Sequence, residues 1–214
     1  MNIEVWSDIV CPWCYIGKRR LETALERFER RDAVTVLWRS YQLDPNAPRV
    51  STQSTREMLA SKYGVSLEQA DGMQARVTGI AAEEGLEYRL GKTLHFNTFD
   101  AHRLLHFAKS KGLQEELKER FMRAHFTEGR SPADVETLVS LAGEVGLDVA
   151  EARTVAEGDA YANEVRADEA LAREYGIRGV PFFVFAGKYG VSGAQAADTL
   201  LEVMQKAWSE SAEA

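Results

Sequence analysis

The chain has 214 residues, enough to remove roughly 70% of its unfolded surface from water and to fold without a structural metal or disulfide. Its apolar content of 45% and charged content of 28% are those of a soluble globular protein and exclude long disorder, and no apolar run approaches the roughly 18 residues of a membrane span. A net charge of −7, with 26 basic side chains dispersed among 33 acidic ones, argues against a nucleic-acid partner, because phosphate binding depends on clustered Lys and Arg.

Residues 3–6 alternate apolar and polar side chains and predict a short strand, interrupted by Ser7 and Asp8. A helix should follow, with Pro12 at its first position and Tyr15, Ile16, Leu21, Leu25 and Phe28 forming one apolar stripe. Lys18, Arg19 and Arg20 fall on this helix and read as a solvated face. Residues 34–41, rich in β-branched and aromatic side chains, predict a second strand that closes a βαβ opening, which Pro45 and Pro48 end.

The next stretch reads as almost continuous helix. Ser66 with Gln69 forms a capping box, Ser131 and Pro132 mark another start, and Gly64, Gly85, Gly112, Gly129 and Gly146 mark stops. Only residues 86–97, with turn signals at Gly91 and Asn97, read as non-helical. A helix over about 161–175 then leads through Gly176 and Gly179 to an apolar run at 182–185, a turn at 186–188, a short strand at 189–192 and a terminal helix marked by Leu200, Leu201, Met204 and Trp208. The block order predicts an α/β domain made of 1–48 and 156–214, split by a helical insertion at 49–155.

Cys11 and Cys14 are the two cysteines of the chain, and their spacing and position carry the chemical signal. They open a helix directly after a strand, where a thiolate meets unpaired backbone N–H groups and the positive end of the helix dipole. The thiolate is the attacking species in disulfide exchange. Cys11, at the mouth of the helix, should be exposed and act as nucleophile. Cys14, one turn in, should be shielded and act as resolving thiol. Two structural readings compete. Half of a zinc site would need ligands from His95, His102, His106 or His125, since no second Cys pair exists. An incidental buried pair would leave Pro12 and the strand-to-helix placement as coincidences. Trp13 should be exposed beside the thiols, while His102 and His106, four apart on one helix, read as packed or exposed histidines.

The segment Ser7-Asp8-Ile9-Val10-Cys11-Pro12-Trp13-Cys14-Tyr15-Ile16-Gly17 resembles the active-site signature of the DsbA-like thioredoxin superfamily, in its cytosolic FrnE-type branch. Phe96-Asn97-Thr98 with Ala101-His102-Arg103, Gly179-Val180-Pro181-Phe182, and Val191-Ser192-Gly193-Ala194-Gln195 resemble that branch in the same order. The resemblance implies a thioredoxin-like fold with a large all-helical insertion domain. It makes Pro181 the cis proline, with the Val180 backbone turned toward an extended peptide that pairs beside Cys11. Pro12, Trp13, Val180, Pro181, Asn97 and His102 become substrate-binding residues. Where thioredoxin-like proteins often bury a carboxylate, six residues before the nucleophile, this chain has Val5, so Asp8 becomes the candidate proton shuttle.

The implied activity is a thiol-disulfide oxidoreductase or protein disulfide isomerase acting on cysteine-containing polypeptides. It needs no cofactor beyond the Cys11–Cys14 redox couple, and a cellular thiol, glutathione among the candidates, would reduce it. A cytoplasmic monomer or homodimer without metal, nucleic acid or membrane is expected, as no leader segment precedes the first strand. The alternative is a glutathione-dependent isomerase or transferase of the 2-hydroxychromene-2-carboxylate isomerase or kappa glutathione transferase type. Those enzymes share the split fold but typically carry Ser where this chain has Cys11. A third class is a non-catalytic binding or chaperone module with vestigial thiols.

Overall fold

A computed structural model of the chain describes residues 1–49 and 52–212. Four strands, β1 (Asn2–Ser7), β2 (Thr35–Ser40), β3 (Phe182–Phe185) and β4 (Tyr189–Ser192), form one sheet in the order β2-β1-β3-β4. β1 runs parallel to β2 and antiparallel to β3, and β3 pairs antiparallel with β4. The parallel pair needs a crossover, which α1 (Pro12–Glu26) supplies. The antiparallel pair needs only a tight turn. Ala186 and Gly187 make it with φ of 52° and 66°, and Lys188 N–H closes on the Phe185 carbonyl at 3.0 Å.

Strand alternation sorts the side chains onto two faces. Ile3, Val5, Trp38, Phe183 and Phe185 pack with Leu21, Ala24 and Phe28 and with Leu200, Leu201, Met204 and Ala207 of α9 (Ala197–Ala212). Trp6 and Val184 face the other way, onto Ala172 and Ile177, the first of which lies on α8 (Ala162–Glu174). β3 is therefore covered on both faces, which is why 182–185 reads as an uninterrupted apolar run. Each Phe so buried contributes about 1.5–3 kcal/mol.

The α8 face also carries charge. Arg39 on β2 donates to Glu4 on β1 and, at 2.9 Å, to Asp168 on α8. Asp168 also accepts Ser40 N–H at 2.9 Å, and its carbonyl accepts the Trp6 indole N–H at 2.9 Å. Burial pulls the Arg39 guanidinium down, but the bonds to Glu4 and Asp168 outweigh it and raise its pKa overall.

The chain divides into two compact units, 1–43 with 168–214 and 44–167. Both cuts differ from the expected 48/49 and 155/156, for reasons of hydrogen bonding. Asp44 bonds His95 at 3.0 Å, and Asn97 Nδ2 donates to the Pro45 carbonyl at 2.9 Å, so 44–48 belong with the helices. At the other end the Arg103 guanidinium donates to the Val155 and Ala160 carbonyls. The Arg166 guanidinium lies 5.5 Å from the Phe99 ring centroid.

Within the helical unit lie α2 (Thr55–Tyr63), α3 (Leu67–Glu83), α4 (Phe99–Ser110), α5 (Gln114–Arg123), α6 (Val135–Glu144), α7 (Val149–Glu157) and the start of α8. The Ser66–Gln69 capping box is formed, and Ser54 with Glu57 forms a second one ahead of α2. Gly64 ends α2 with φ of +64°, a conformation that costs glycine little. α6 starts at Val135 rather than at 131–132, because the Asp134 carboxylate takes the Thr137 N–H at 2.9 Å and caps the helix there. No helix among the described residues is long and apolar enough to cross a membrane.

Candidate active site

The site begins where β1 ends. Cys11 N–H donates to the Asp8 carbonyl at 3.2 Å, closing a turn, and Asp8 Oδ2 accepts Leu43 N–H at 2.8 Å, which joins the chain after β2 to that turn. Asp8 is buried and serves first as a brace. Its charge, after burial and Glu169, contributes to pushing the neighbouring Tyr41 phenol above its ordinary 10.0, so Tyr41 is protonated at neutral pH.

Cys11 is the N-cap of α1, with extended backbone (φ −89°, ψ 112°), and Pro12 occupies the first helical turn. The Cys11 side chain makes no capping bond and no acidic residue lies in the first turn. The positive end of the helix is thus left for the sulfur. Cys14 follows within the same turn, its N–H on the Cys11 carbonyl at 3.0 Å.

The Val180–Pro181 peptide bond is cis. The Cys11 thiol donates to the Val180 carbonyl at 3.5 Å, which brings residues distant in sequence to the helix mouth. The Pro181 ring rests on α1 at Gly17, where a Cβ would stand 2.9 Å from Pro181 Cγ and 3.3 Å from Phe183 Cζ. Gly17 is a residue whose part the sequence reading missed, although it closes the quoted signature.

Two expectations need correction. Cys11 is not exposed: its relative exposure is 4%, against 1% for Cys14, and the bend leading to β3 meets its sulfur at the Val180 carbonyl. Lys18 is not on a solvated face either, since its side chain is 3% exposed and bonded to Glu22, itself 37% exposed. Trp13, by contrast, is exposed at 38%, and Pro12 and Val180 are half-buried.

Asn97 and His102 belong to the helical unit. Asn97 Oδ1 accepts Phe99 N–H at 2.9 Å at the start of α4, and His102 is buried on that helix. Among the described residues no group of three or more His, Cys, Asp or Glu side chains is placed to hold a metal ion.

Residues 2–205 match the family of DSBA-like thioredoxin domains. The chain belongs to the DsbA-like thioredoxin family. A probable DsbA oxidoreductase from Streptomyces coelicolor superposes with a TM-score of 0.95 at 48% identity, over 98% of this chain and 91% of the other. At 16% identity, a 2-hydroxychromene-2-carboxylate isomerase shares the fold with a TM-score of 0.74, over 100% and 98% of the two chains. The cytosolic disulfide reductase DsbM from Pseudomonas aeruginosa does so with a TM-score of 0.67 at 19% identity, over 96% and 98%. Within this DsbA-like frame, the Cys pair stands at the head of α1 with the Val180 carbonyl and the cis Val180–Pro181 bond beside Cys11.

Proposed function

We propose that the chain is a thiol-disulfide oxidoreductase or disulfide isomerase that acts on cysteine-containing polypeptides through Cys11 and Cys14. The observation that carries this reading is the Cys11 sulfur, set at the N-cap of α1 and hydrogen-bonded to the Val180 carbonyl. That bond exists only while the sulfur keeps its proton. Ionisation releases the Val180 carbonyl, which is then free to pair with an extended peptide, while Pro12, Trp13 and Pro181 flank the incoming disulfide.

The Cys11 thiolate attacks a substrate disulfide; one sulfur–sulfur bond forms, another breaks, and the leaving thiolate takes a proton. Cys14 then loses its proton and attacks Cys11. The enzyme dithiol becomes a disulfide as the substrate disulfide becomes two thiols. Asp8, linked to Cys11 through the turn, is the candidate carrier for these protons. A cellular thiol, glutathione among them, returns the enzyme to its dithiol form, and no other cofactor is required. A cytoplasmic location fits a CXXC couple that a cellular thiol keeps reduced.

Insulin reduction in the presence of glutathione tests the proposal. Cys11→Ser should abolish turnover, and Cys14→Ala should arrest as a mixed disulfide with substrate; full turnover in Cys11→Ser would overturn the mechanism.

The likeness of fold to a 2-hydroxychromene-2-carboxylate isomerase supports a second reading, a glutathione-dependent isomerase or transferase of small molecules. Turnover with bound glutathione in Cys14→Ala distinguishes it, because that chemistry needs no second thiol.

A further inference from the structure

Residues 191–195 carry no group that could exchange a disulfide, yet their hydrogen bonds lead back to the cysteine site. Gly193 N–H donates to the Pro181 carbonyl at 2.8 Å, which extends the β3–β4 ladder by one step. The turn that follows is closed on itself. Gly193 holds a left-handed φ of 78°, Gln195 N–H donates to the Gly193 carbonyl at 2.9 Å, and Gln195 Nε2 donates to the Ser192 carbonyl at 2.9 Å. Its Ala194 carbonyl accepts from the Arg20 guanidinium, on α1, at 2.6 Å.

These bonds form a circuit that begins and ends on one helix. The N-cap of α1 meets the Val180 carbonyl through the Cys11 thiol at 3.5 Å, the next turn meets the Pro181 ring at Gly17, and Arg20 grips the turn beyond β4. From Cys11 to Arg20 the helix rises about 13 Å, a rigid spacer between the two ends of the circuit. The returning path is stiff where it matters. The proline ring fixes φ of Pro181 at about −65°, so a single soft dihedral separates the carbonyl bound by Gly193 from the carbonyl that faces Cys11. Holding the turn therefore holds the Val180 carbonyl.

We propose that Arg20 is a positioning residue for polypeptide substrates: by holding the Ala194 carbonyl it keeps the Val180 backbone where an extended peptide pairs with it beside Cys11. The inference rests on the dithiol mechanism proposed above and separates two kinds of disulfide. A substrate with a backbone uses the pairing at Val180, whereas a small aromatic disulfide has nothing to pair. Loosening Val180 does not hinder the sulfur itself, because the bond between them is made by the thiol and is given up before the thiolate attacks.

Two probes with one leaving group test this: Ellman's reagent, and an extended peptide whose single cysteine carries thionitrobenzoate. With either, the Cys11 thiolate forms a bond to a probe sulfur, the probe's own sulfur–sulfur bond breaks, and thionitrobenzoate leaves as a coloured thiolate. On the reduced full-length protein, Arg20→Met should slow the initial release from the peptide about three- to tenfold, the worth of one backbone hydrogen bond. Release from Ellman's reagent should stay at least as fast as in the native protein. Arg20→Lys, which can donate to the same carbonyl, should recover most of the loss. Gln195→Ala loosens the turn from its other side and should reproduce the split, and combined with Arg20→Met it should add little, since both act through one turn. Arg27→Met removes an α1 cation bonded instead to Asp198 of α9 and should change neither release. Equal slowing with both probes, no slowing with the peptide, failure of lysine to rescue, fully additive losses in the double variant, or the same split in Arg27→Met would each overturn the role of Arg20. Release that persists from both probes in Cys11→Ser would instead overturn the dithiol mechanism, and the role of Arg20 with it.

Discussion

At Gly17 the missing side chain makes room for Pro181. Adding one methyl group would force it to 2.9 Å from Pro181 Cγ, and overpacking of this kind costs about 1–3 kcal/mol. Gly17→Ala should therefore lower the urea midpoint and, by displacing Pro181 from the Cys11 sulfur, depress insulin reduction more than stability alone explains. Asp8→Ala removes the acceptor of Leu43 N–H in a buried turn and should cost about 1–3 kcal/mol in urea denaturation, with Asp8→Asn retaining most of that stability. The cysteine pair, Pro12 and exposed Trp13 were legible from residue type and spacing, since helix geometry alone places them. Burial of Cys11 was not, because what covers it is a carbonyl 169 residues further along. Burial of Lys18 was equally hidden: a basic run at helical spacing looks the same whether one of its members turns inward or outward.

Among the elements, β3 and its neighbours were read almost to the residue, because a four-residue apolar run bounded by Pro181 and a turn admits little else. Where local hydrogen bonds compete, the reading slipped. Asp134 outcompetes Ser131 as a cap, and the bonds of Asp44, Pro45 and Arg103 move both unit boundaries. The bracing of α8 against the sheet through Arg39 joins three segments far apart in sequence and left no local signal. Arg39→Met should cost about 2 kcal/mol by urea denaturation, less than the 3–5 kcal/mol of a fully buried pair because Arg39 is a quarter exposed. Ala186 holds a left-handed backbone at φ 52°. Ala186→Gly should raise stability by about 1 kcal/mol in the same assay, since glycine adopts that region without a Cβ clash.

For the molecule as a whole, acid stability should follow its arginine-paired carboxylates. Hydrogen bonds from Arg120, and then from Arg130, hold Glu144 below its ordinary 4.5, and Arg153 does the same for Glu136. A carboxylate depressed in the folded state stabilises fully above its unfolded pKa and loses that contribution as pH falls through the folded one. The difference in urea midpoint between the native protein and Glu144→Gln should therefore be constant near neutrality and shrink as pH falls below the ordinary carboxylate value of 4.5, vanishing once Glu144 is protonated in the folded protein. Redox behaviour is likewise a property of the complete chain. With Trp13 rather than histidine between the cysteines, the proposed couple should equilibrate in glutathione buffers between about −270 mV, as in thioredoxin, and about −120 mV, as in DsbA; a value outside that interval would mean that the helix head does not set the balance. Trp13 has one more use. Of the four tryptophans, Trp6 and Trp38 are enclosed and Trp208 is half-buried edge-on against Phe28, leaving the indole between the two sulfurs the most open to solvent. Sulfur quenches indole emission at short range, so the protein carries its own lamp: its glow should dim or brighten with each turnover, and replacing that one ring with phenylalanine should leave the signal dark to oxidation.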